Sequence, residues 1–249
     1  MKPYYESTGL TIYHGDCRDV LPTLSADSVD LIVTDPPYGV NYRSNFLKQP
    51  SDFIKGDGST EVAEQGLALS LRVLKRYRHL YVFGRFNFST MAVSEPAELI
   101  WDKEIFSAGD LQSQWGQQHE YIQFLVAIKS HANKESGRGR LAARLRRGTV
   151  LRVPRLNSKA TGLHQTEKPV RLMRELIESS SCIGETVLDP FMGSGPVLEA
   201  AVIEGRRFIG IEVDEENCLK AVNRIKGNIV EATISQGGLW GAKELKTWR

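Results

Sequence analysis

The sequence predicts an α/β fold: a doubly wound, mostly parallel sheet with helices on both faces, plus one basic insertion. Three observations predict it. Apolar runs of strand length alternate with segments whose apolar residues recur at helical spacing. Turn residues, chiefly glycine and proline, separate these segments. The chain has 249 residues, of which 41% are hydrophobic, so it can bury a sizeable core. Alternating strands and helices are typical of a parallel sheet covered on both faces.

The part of the chain before residue 129 contains most of the predicted strands. They cover 10–13, 28–34, 79–83, 98–101 and 121–128. One helix is predicted over 61–77, because Leu67, Leu71 and Leu74 share one face. Glu61 and Glu64 fall in the first turn of that helix, where acidic residues are favoured.

The part after residue 162 continues the alternation. Strands are predicted over 186–188 and 207–213, and helices over 170–179, 197–204 and from Asp214 to about 226. Pro169 can open the first of these helices, and Asp214 can cap the last. The residues after 227 show no recognisable pattern.

A net charge of +2 conceals a basic segment between these two parts. From Lys129 to Lys159 the sequence has ten Lys or Arg residues and one acid, Glu135, a local charge of +9. The rest of the chain then has 22 basic and 29 acidic residues, a charge of −7. This distribution indicates a polyanionic partner, with nucleic acid as the first candidate. A solvated or disordered basic loop is the alternative.

The composition also excludes several classes of protein. No apolar run approaches the roughly 20 residues of a membrane span, and the N-terminus lacks the apolar core of a signal peptide. Cys17, Cys182 and Cys218 are widely separated, which argues against a disulfide framework or a zinc knuckle. We therefore expect a cytoplasmic protein with no membrane partner and no metal.

Residues 31–40, LIVTDPPYGV, join a buried strand to an acid, two prolines and an aromatic residue. The prolines fix φ and extend the preceding residues, so that their carbonyl groups point in fixed directions. Asp35 and a carbonyl of the proline pair could accept hydrogen bonds from an amino group. An ordinary turn at the end of a strand is the alternative.

A second signal follows the strand predicted over 186–188. Gly193 and Gly195 lie at a strand-to-helix turn, and Glu212 ends the next strand, a spacing typical of nucleotide-binding units. The third glycine of the dinucleotide motif is absent, because Leu198 occupies its position. Asp189 would repel a pyrophosphate but suits a cationic ligand such as S-adenosylmethionine. A tight structural turn with solvated acids remains the alternative.

Together these segments resemble the S-adenosylmethionine-dependent DNA amino-methyltransferases of the N6-adenine/N4-cytosine family. The resemblance is greatest to their permuted β group, in which D-P-P-Y precedes F-x-G-x-G. Further matching blocks in the order of the family are HGDCRDVL, LIWDK, HEYI and HQTEKPV, so the similarity covers about 12–226. It implies a Rossmann-like class I methyltransferase fold. It also implies one methyltransferase domain over 1–249, made of a catalytic half (12–129), a basic insertion for target recognition (130–163), a cofactor half (164–227) and a tail of unknown role (228–249).

The resemblance implies a role for each matching residue. The catalytic residues would be Asp35, Pro36, Pro37 and Tyr38, with Tyr38 stacking on a flipped base. Asp16 and Cys17 would flank the cofactor adenine, and Glu212 would bind the ribose. The remaining cofactor residues would be Asp35, Thr166, Glu167, Lys168, Asp189, Phe191, Gly193, Ser194, Gly195 and Val213. The candidates for DNA contact are Arg138, Arg140, Arg144, Arg146 and Arg147.

The resulting hypothesis is a site-specific enzyme that methylates the N6 of adenine in double-stranded DNA. D-P-P-Y, in place of the S-P-P-Y of many relatives acting on cytosine N4, favours adenine by resemblance. An N4-cytosine enzyme is the nearest alternative; a non-catalytic nucleic-acid-binding module is a more distant one. Methylation of RNA or of a glutamine amide uses a similar tetrapeptide, but a protein substrate gives no reason for the basic segment. The recognition region is short, roughly thirty residues, which suggests either a homodimer or modest sequence specificity.

Overall fold

The computed structural model describes residues 1–37, 60–105, 115–128, 147–156 and 167–235. Within them, the strands are β1 (Tyr5–Ser7), β2 (Leu10–His14), β3 (Val29–Thr34), β4 (Leu74–Phe83), β5 (Val93–Asp102), β6 (His119–Ala127), β7 (Val150–Arg152), β8 (Thr186–Asp189) and β9 (Arg207–Glu212). The helices are α1 (Cys17–Val20), α2 (Glu61–Val73), α3 (Val170–Ser180), α4 (Pro196–Ile203) and α5 (Glu215–Ser235), with a short 3₁₀ turn at Leu21–Thr23.

The described strands form one sheet in the order β1-β2-β9-β8-β3-β4-β6-β5-β7. Its centre, from β2 to β4, is parallel throughout. The pairs β1·β2, β4·β6 and β5·β6 are antiparallel, and β7 joins the far edge parallel to β5. The prediction of a doubly wound, mostly parallel sheet is confirmed.

Helices cover both faces of the sheet, because each central strand is apolar on both sides. All six residues of β3 are buried. Leu31 and Val33 face a cluster that includes apolar residues of α3, α4 and α5. Val29 and Ile32 face a second cluster, which includes α1 and α2. A strand buried on both faces needs a continuous apolar run, and this explains the LIV sequence before Asp35.

The prediction of one helix over 61–77 is wrong at its end. Helix α2 ends at Val73, and Leu74 adopts extended backbone angles (φ −72°, ψ 129°). Leu74 then pairs with Val29 as the first residue of β4, and Lys75 and Arg78 reach the buried Asp30 at 2.7 and 3.0 Å. An apolar residue at position 74 satisfies a helix face and a buried strand equally well, so local periodicity could not locate the boundary.

Two edge strands were absent from the prediction. One is β1, and the other is β7, which lies within the segment predicted as an insertion without apolar periodicity. Leu151 and Val153 of that segment are buried in the core. The other predicted elements are confirmed with shifts of their ends, the largest being the extension of the last helix to Ser235. None of the helices in the described ranges is long and apolar enough to span a membrane.

Candidate active site

The two sequence motifs meet at one edge of the sheet. Strands β3 and β8 are parallel neighbours, with Leu31 opposite Val187, so the residues that follow them emerge side by side. The Thr34 hydroxyl at the end of β3 donates a 2.8 Å hydrogen bond to Asp189 Oδ1 at the end of β8. The structure therefore brings Asp35 and Asp189 to the same edge, although they lie far apart in the sequence.

Asp189 is an almost fully buried carboxyl group. Burial raises its pKa to about 7, and the nearby carboxylates of Asp35 and Glu212 add to the rise. Hydrogen bonds from the Thr34 hydroxyl and from the Phe191 backbone N–H, the latter at 3.1 Å, favour the ionised form but do not offset burial. Near neutral pH, a cation bound beside Asp189 would therefore favour loss of its proton.

The glycine turn after β8 needs glycine at two positions. Gly193 (φ +55°) and Gly195 (φ +88°) adopt left-handed backbone angles that other residues rarely adopt. The Gly193 N–H donates to Glu212 Oε2 at 2.7 Å, and the Asp214 N–H donates to Glu212 Oε1 at 2.8 Å. Glu212 therefore ties the end of β9 to the glycine turn, and burial raises the pKa of its carboxyl group.

A glycine within α2, which the sequence analysis did not single out, allows Phe191 to pack close to this helix. A Cβ atom on Gly66 would lie 2.7 Å from Phe191 Cζ and 2.8 Å from Cys17 Sγ. Gly66 thus brings together two residues that the resemblance assigns to the cofactor. A glycine inside a helix costs about 1 kcal/mol of helix stability relative to alanine. Its presence in α2 was therefore the sequence signal for close packing at this position.

Asp16 and Cys17 form the start of α1, in the loop that follows β2. The Asp16 carboxylate caps this helix by accepting a 2.8 Å hydrogen bond from the Arg18 N–H. The same carboxylate binds the Arg18 guanidinium at 2.6 Å, which holds the pKa of Asp16 below its usual range. Burial and the neighbouring Asp16 raise the pKa of the Cys17 thiol to about 12, which disfavours its thiolate form.

Glu167 bridges the residues before α3 to the glycine turn and to α5. Its Oε2 accepts hydrogen bonds from the Ser194 hydroxyl at 2.5 Å and from the Arg224 guanidinium at 2.6 Å. Arg224 also binds Glu199 at 2.9 Å. Glu167 Oε1 is buried and has no hydrogen-bond partner among the described residues. Such an acceptor suits a ligand that donates hydrogen bonds, as the ammonium group of S-adenosylmethionine would.

Lys168 lies against Asp35. Its Nζ atom is 2.7 Å from Asp35 Oδ2 and 3.1 Å from Glu120 Oε2. Glu120, within the HEYI block, had no predicted role. Lys103, which we expect to extend over Trp101, lies 5.2 Å from the centre of that ring and also binds Glu120 at 2.7 Å. Lys168 therefore contacts two acids, one of them in the D-P-P-Y motif.

The remaining predicted residues are less closely associated with this edge. Val213 follows β9, is 43% exposed, and its carbonyl oxygen is 3.2 Å from His14 Nε2. Arg147, predicted to contact DNA, forms ion pairs with Glu175 (3.4 Å) and Glu178 (2.7 Å) of α3. The residues that lie outside the described ranges are Tyr38, Thr166, Arg138, Arg140, Arg144 and Arg146. Within those ranges no group of His, Cys, Asp and Glu residues could hold a metal ion.

Comparisons with known proteins find similar sequences and a similar fold. The model of the N6/N4 methyltransferase family, described as DNA methylase, matches residues 29–223. The putative methylase YubD of Escherichia coli is 31% identical over 90% of this chain and 92% of its own length. The DNA adenine methyltransferase YhdJ of Escherichia coli is 28% identical over 86% of this chain and 82% of its own length. The structure of the cytosine-N4-specific PvuII DNA methyltransferase is similar in fold, with a TM-score of 0.67, 16% identity, and coverage of 90% of this chain and 88% of that one.

Proposed function

Because the chain belongs to the N6/N4 family of S-adenosylmethionine-dependent DNA amino-methyltransferases, we propose that it methylates the exocyclic N6 of adenine in double-stranded DNA. The observation that carries the proposal is the juxtaposition of Asp35 with Asp189. Strand pairing and the hydrogen bond between Thr34 and Asp189 bring an acceptor for an amino group next to a buried acid suited to a cation. Methyl transfer from a sulfonium compound to an amine needs both at one edge.

The proposed chemistry assigns the activation of the amino group to Asp35 and the proline pair. An exocyclic amine is a poor nucleophile, because its lone pair is delocalised into the ring. Acceptors for its two N–H bonds favour a pyramidal nitrogen with a localised lone pair. The acceptors must be fixed, since misplacement by about 1 Å can cost about 100-fold in rate. Bound S-adenosylmethionine supplies a methyl group with a good leaving group already attached to it.

The proposed cofactor site fits a cationic ligand with a ribose. Asp189 and Glu167 Oε1, which has no hydrogen-bond partner in the described part of the chain, would receive positive charge and N–H donors at the methionine end. The left-handed Gly193 lets a ligand approach the backbone closely, since nothing lies within 4 Å of the position of its missing Cβ. Glu212, oriented by two backbone N–H groups, would accept hydrogen bonds from ribose hydroxyls.

DNA is the proposed partner, with the base extruded from the duplex. Extrusion costs a few kcal/mol, and stacking of the base on Tyr38 would return about 1–3 kcal/mol. The segment 129–159 would bind phosphates through its charge of +9. Arg147 is already paired with two acids, so we assign it a smaller share of this binding than the other arginines. A homodimer would supply the recognition surface that the short segment lacks.

Adenine is proposed over cytosine on two grounds. The tetrapeptide begins with Asp35 rather than serine, and the relative YhdJ is named a DNA adenine methyltransferase. The N4-cytosine reaction is the second candidate, favoured by the fold similarity to the PvuII enzyme. Digestion of the methylated DNA to nucleosides separates the two: N6-methyl-2′-deoxyadenosine supports the proposal, and N4-methyl-2′-deoxycytidine replaces it with the alternative.

The test of activity is transfer of labelled methyl groups from S-adenosylmethionine to unmethylated plasmid DNA. We expect transfer by the natural chain, at least a 1,000-fold loss in Asp35→Ala (about 4 kcal/mol of transition-state stabilisation), and retained cofactor binding. Glu216→Ala, which changes an exposed acid of α5, is the matched control and should keep full activity. Retained activity in Asp35→Ala would remove the role of Asp35. Absence of transfer to any nucleic acid would support a binding module instead.

A further inference from the structure

We propose that Glu120 is a positioning residue, which holds the Lys168 ammonium against Asp35 and thereby fixes the carboxylate that receives the target amino group. The inference rests on the proposed function, because it explains how Asp35 is held for that reaction. Neither the resemblance nor the comparisons assign a role to Glu120.

Four charged side chains of alternating sign form a row next to the D-P-P-Y motif. Lys103 Nζ lies 2.7 Å from Glu120 Oε1, and Lys168 Nζ lies 3.1 Å from Glu120 Oε2. Lys168 Nζ also lies 2.7 Å from Asp35 Oδ2. Each oxygen of Glu120 thus has its own lysine, and Lys168 links Glu120 to Asp35. The row leads from the end of β5 to the D-P-P-Y motif.

The side chains in this row are more buried than those of an ion pair on the protein surface. The Lys168 side chain is only 8% exposed, and its Nζ lies 5.3 Å from the centre of the Phe83 ring. Burial alone would lower the pKa of Lys168, but Asp35 and Glu120 outweigh it, and the pKa is raised. Burial likewise opposes ionisation of Glu120, and Lys168 and Lys103 lower its pKa. Lys168 and Glu120 therefore each stabilise the charged form of the other.

Glu120 is the member of the row whose backbone is held by the sheet. It lies in β6, opposite Trp101 of β5, within an antiparallel ladder. Asp35 and Lys168, by contrast, lie outside the helices and strands. Lys168 joins the two, so the sheet fixes Glu120, Glu120 fixes Lys168, and Lys168 orients Asp35.

Loss of Glu120 should alter the acceptor for the amino group. With Glu120 neutral, Asp35 is the one anionic partner left to the Lys168 ammonium among the described residues, and the ammonium pairs more strongly with it. That stronger pairing competes with the target amino group for the Asp35 carboxylate and turns it away from its position. Because rates are sensitive to displacements of about 1 Å, we expect a reduced rate of methyl transfer with little change in binding.

The experiment measures single-turnover methyl transfer with saturating S-adenosylmethionine and DNA, together with both dissociation constants and the melting temperature. Glu120→Gln should lower the transfer rate at least tenfold while both dissociation constants stay within about twofold. Glu120→Asp, which keeps the charge on a shorter side chain, should recover part of the rate. Lys168→Met should lower the rate by about 100-fold, the cost of a misplaced reacting group.

The matched control lies at the opposite edge of the sheet. Glu185 forms an ion pair with Arg78, which also binds the buried Asp30. Glu185→Gln removes the same charge from a comparably buried ion cluster, so it should lower the melting temperature as Glu120→Gln does. Its transfer rate should equal that of the natural chain.

Each outcome distinguishes a positioning role of Glu120 from a purely structural role or a role in cofactor binding. A loss of stability in Glu120→Gln with an unchanged transfer rate would make the row purely structural and overturn the inference. A raised dissociation constant for S-adenosylmethionine with an unchanged rate would assign Lys168 to the cofactor and also overturn it. An inactive natural chain refutes the proposed function itself, and the inference with it. Activity in the natural chain with a rate defect in Glu120→Gln alone supports both.

Discussion

The affinity for S-adenosylmethionine should depend on pH through Asp189. Without ligand its pKa is about 7, so the carboxyl group is mostly protonated below that pH and mostly ionised above it. A cationic ligand binds the ionised form. The ionised fraction falls from about 0.9 at pH 8 to about 0.1 at pH 6, so the dissociation constant should rise about tenfold over this range.

The assay is titration calorimetry at pH 6, 7 and 8, with Asp189→Asn measured alongside. The ligand's own ammonium group also titrates, so the quantity compared is the ratio of the affinity of the natural chain to that of Asp189→Asn. This ratio should rise about tenfold from pH 6 to pH 8. Near pH 7, where about half of Asp189 is protonated, binding by the natural chain should release about half a proton more than the variant.

A ratio of affinities that stays constant from pH 6 to pH 8 would contradict this prediction. It would mean either that Asp189 is ionised throughout or that it does not face the positive charge of the ligand. Equal proton release by the two proteins would lead to the same conclusion. A ratio that rises as the pH falls would reverse the sign and place a different titrating group in the site.

Two further substitutions test the packing around the site. Gly66→Ala gains about 1 kcal/mol of helix propensity but creates contacts of 2.7–2.8 Å, and such overpacking costs about 1–3 kcal/mol. Displacement of the Phe191 ring in Gly66→Ala should weaken cofactor binding about tenfold. The control Gly148→Ala, at a position in open space, should not change cofactor binding. Equal cofactor affinities of the two variants would contradict this prediction. Arg224→Met leaves Glu167 buried without its cation and should cost about 3–5 kcal/mol in urea unfolding, and a loss below about 1 kcal/mol would contradict it.

The parts of the fold that local patterns determine could be predicted from the sequence. Strand β3 has an apolar run that only a strand buried on both faces requires, and α3 begins after Pro169 as expected. The end of α2 could not be predicted, because pairing of Leu74 with Val29 decides it. Strand β7 escaped prediction because three residues with one buried side chain leave no period to detect.

The candidate site divides in the same way. Asp189 and Glu212 end two strands that the sequence locates, and Gly193 lies in the turn after the first, so their proximity follows once these strands are parallel neighbours. The contact between Lys168 and Glu120 could not be predicted from the sequence. It depends on β6 lying antiparallel to β4, which places Glu120 near the carboxyl end of β3. No local pattern encodes which distant acid a lysine meets.

Three of the acids at this edge of the sheet are each compensated in a different way. Lys168 binds Asp35, and two backbone N–H groups bind Glu212. Asp189 receives two hydrogen bonds, yet burial keeps its pKa near 7, so a proton completes its compensation. Burial disfavours the ionised form of a carboxyl group that lacks a counter-charge. The partners of Asp35 and Glu212 are parts of the protein and stay in place, whereas the proton on Asp189 can dissociate. We infer that a cationic ligand binds most strongly at Asp189, where it replaces that proton.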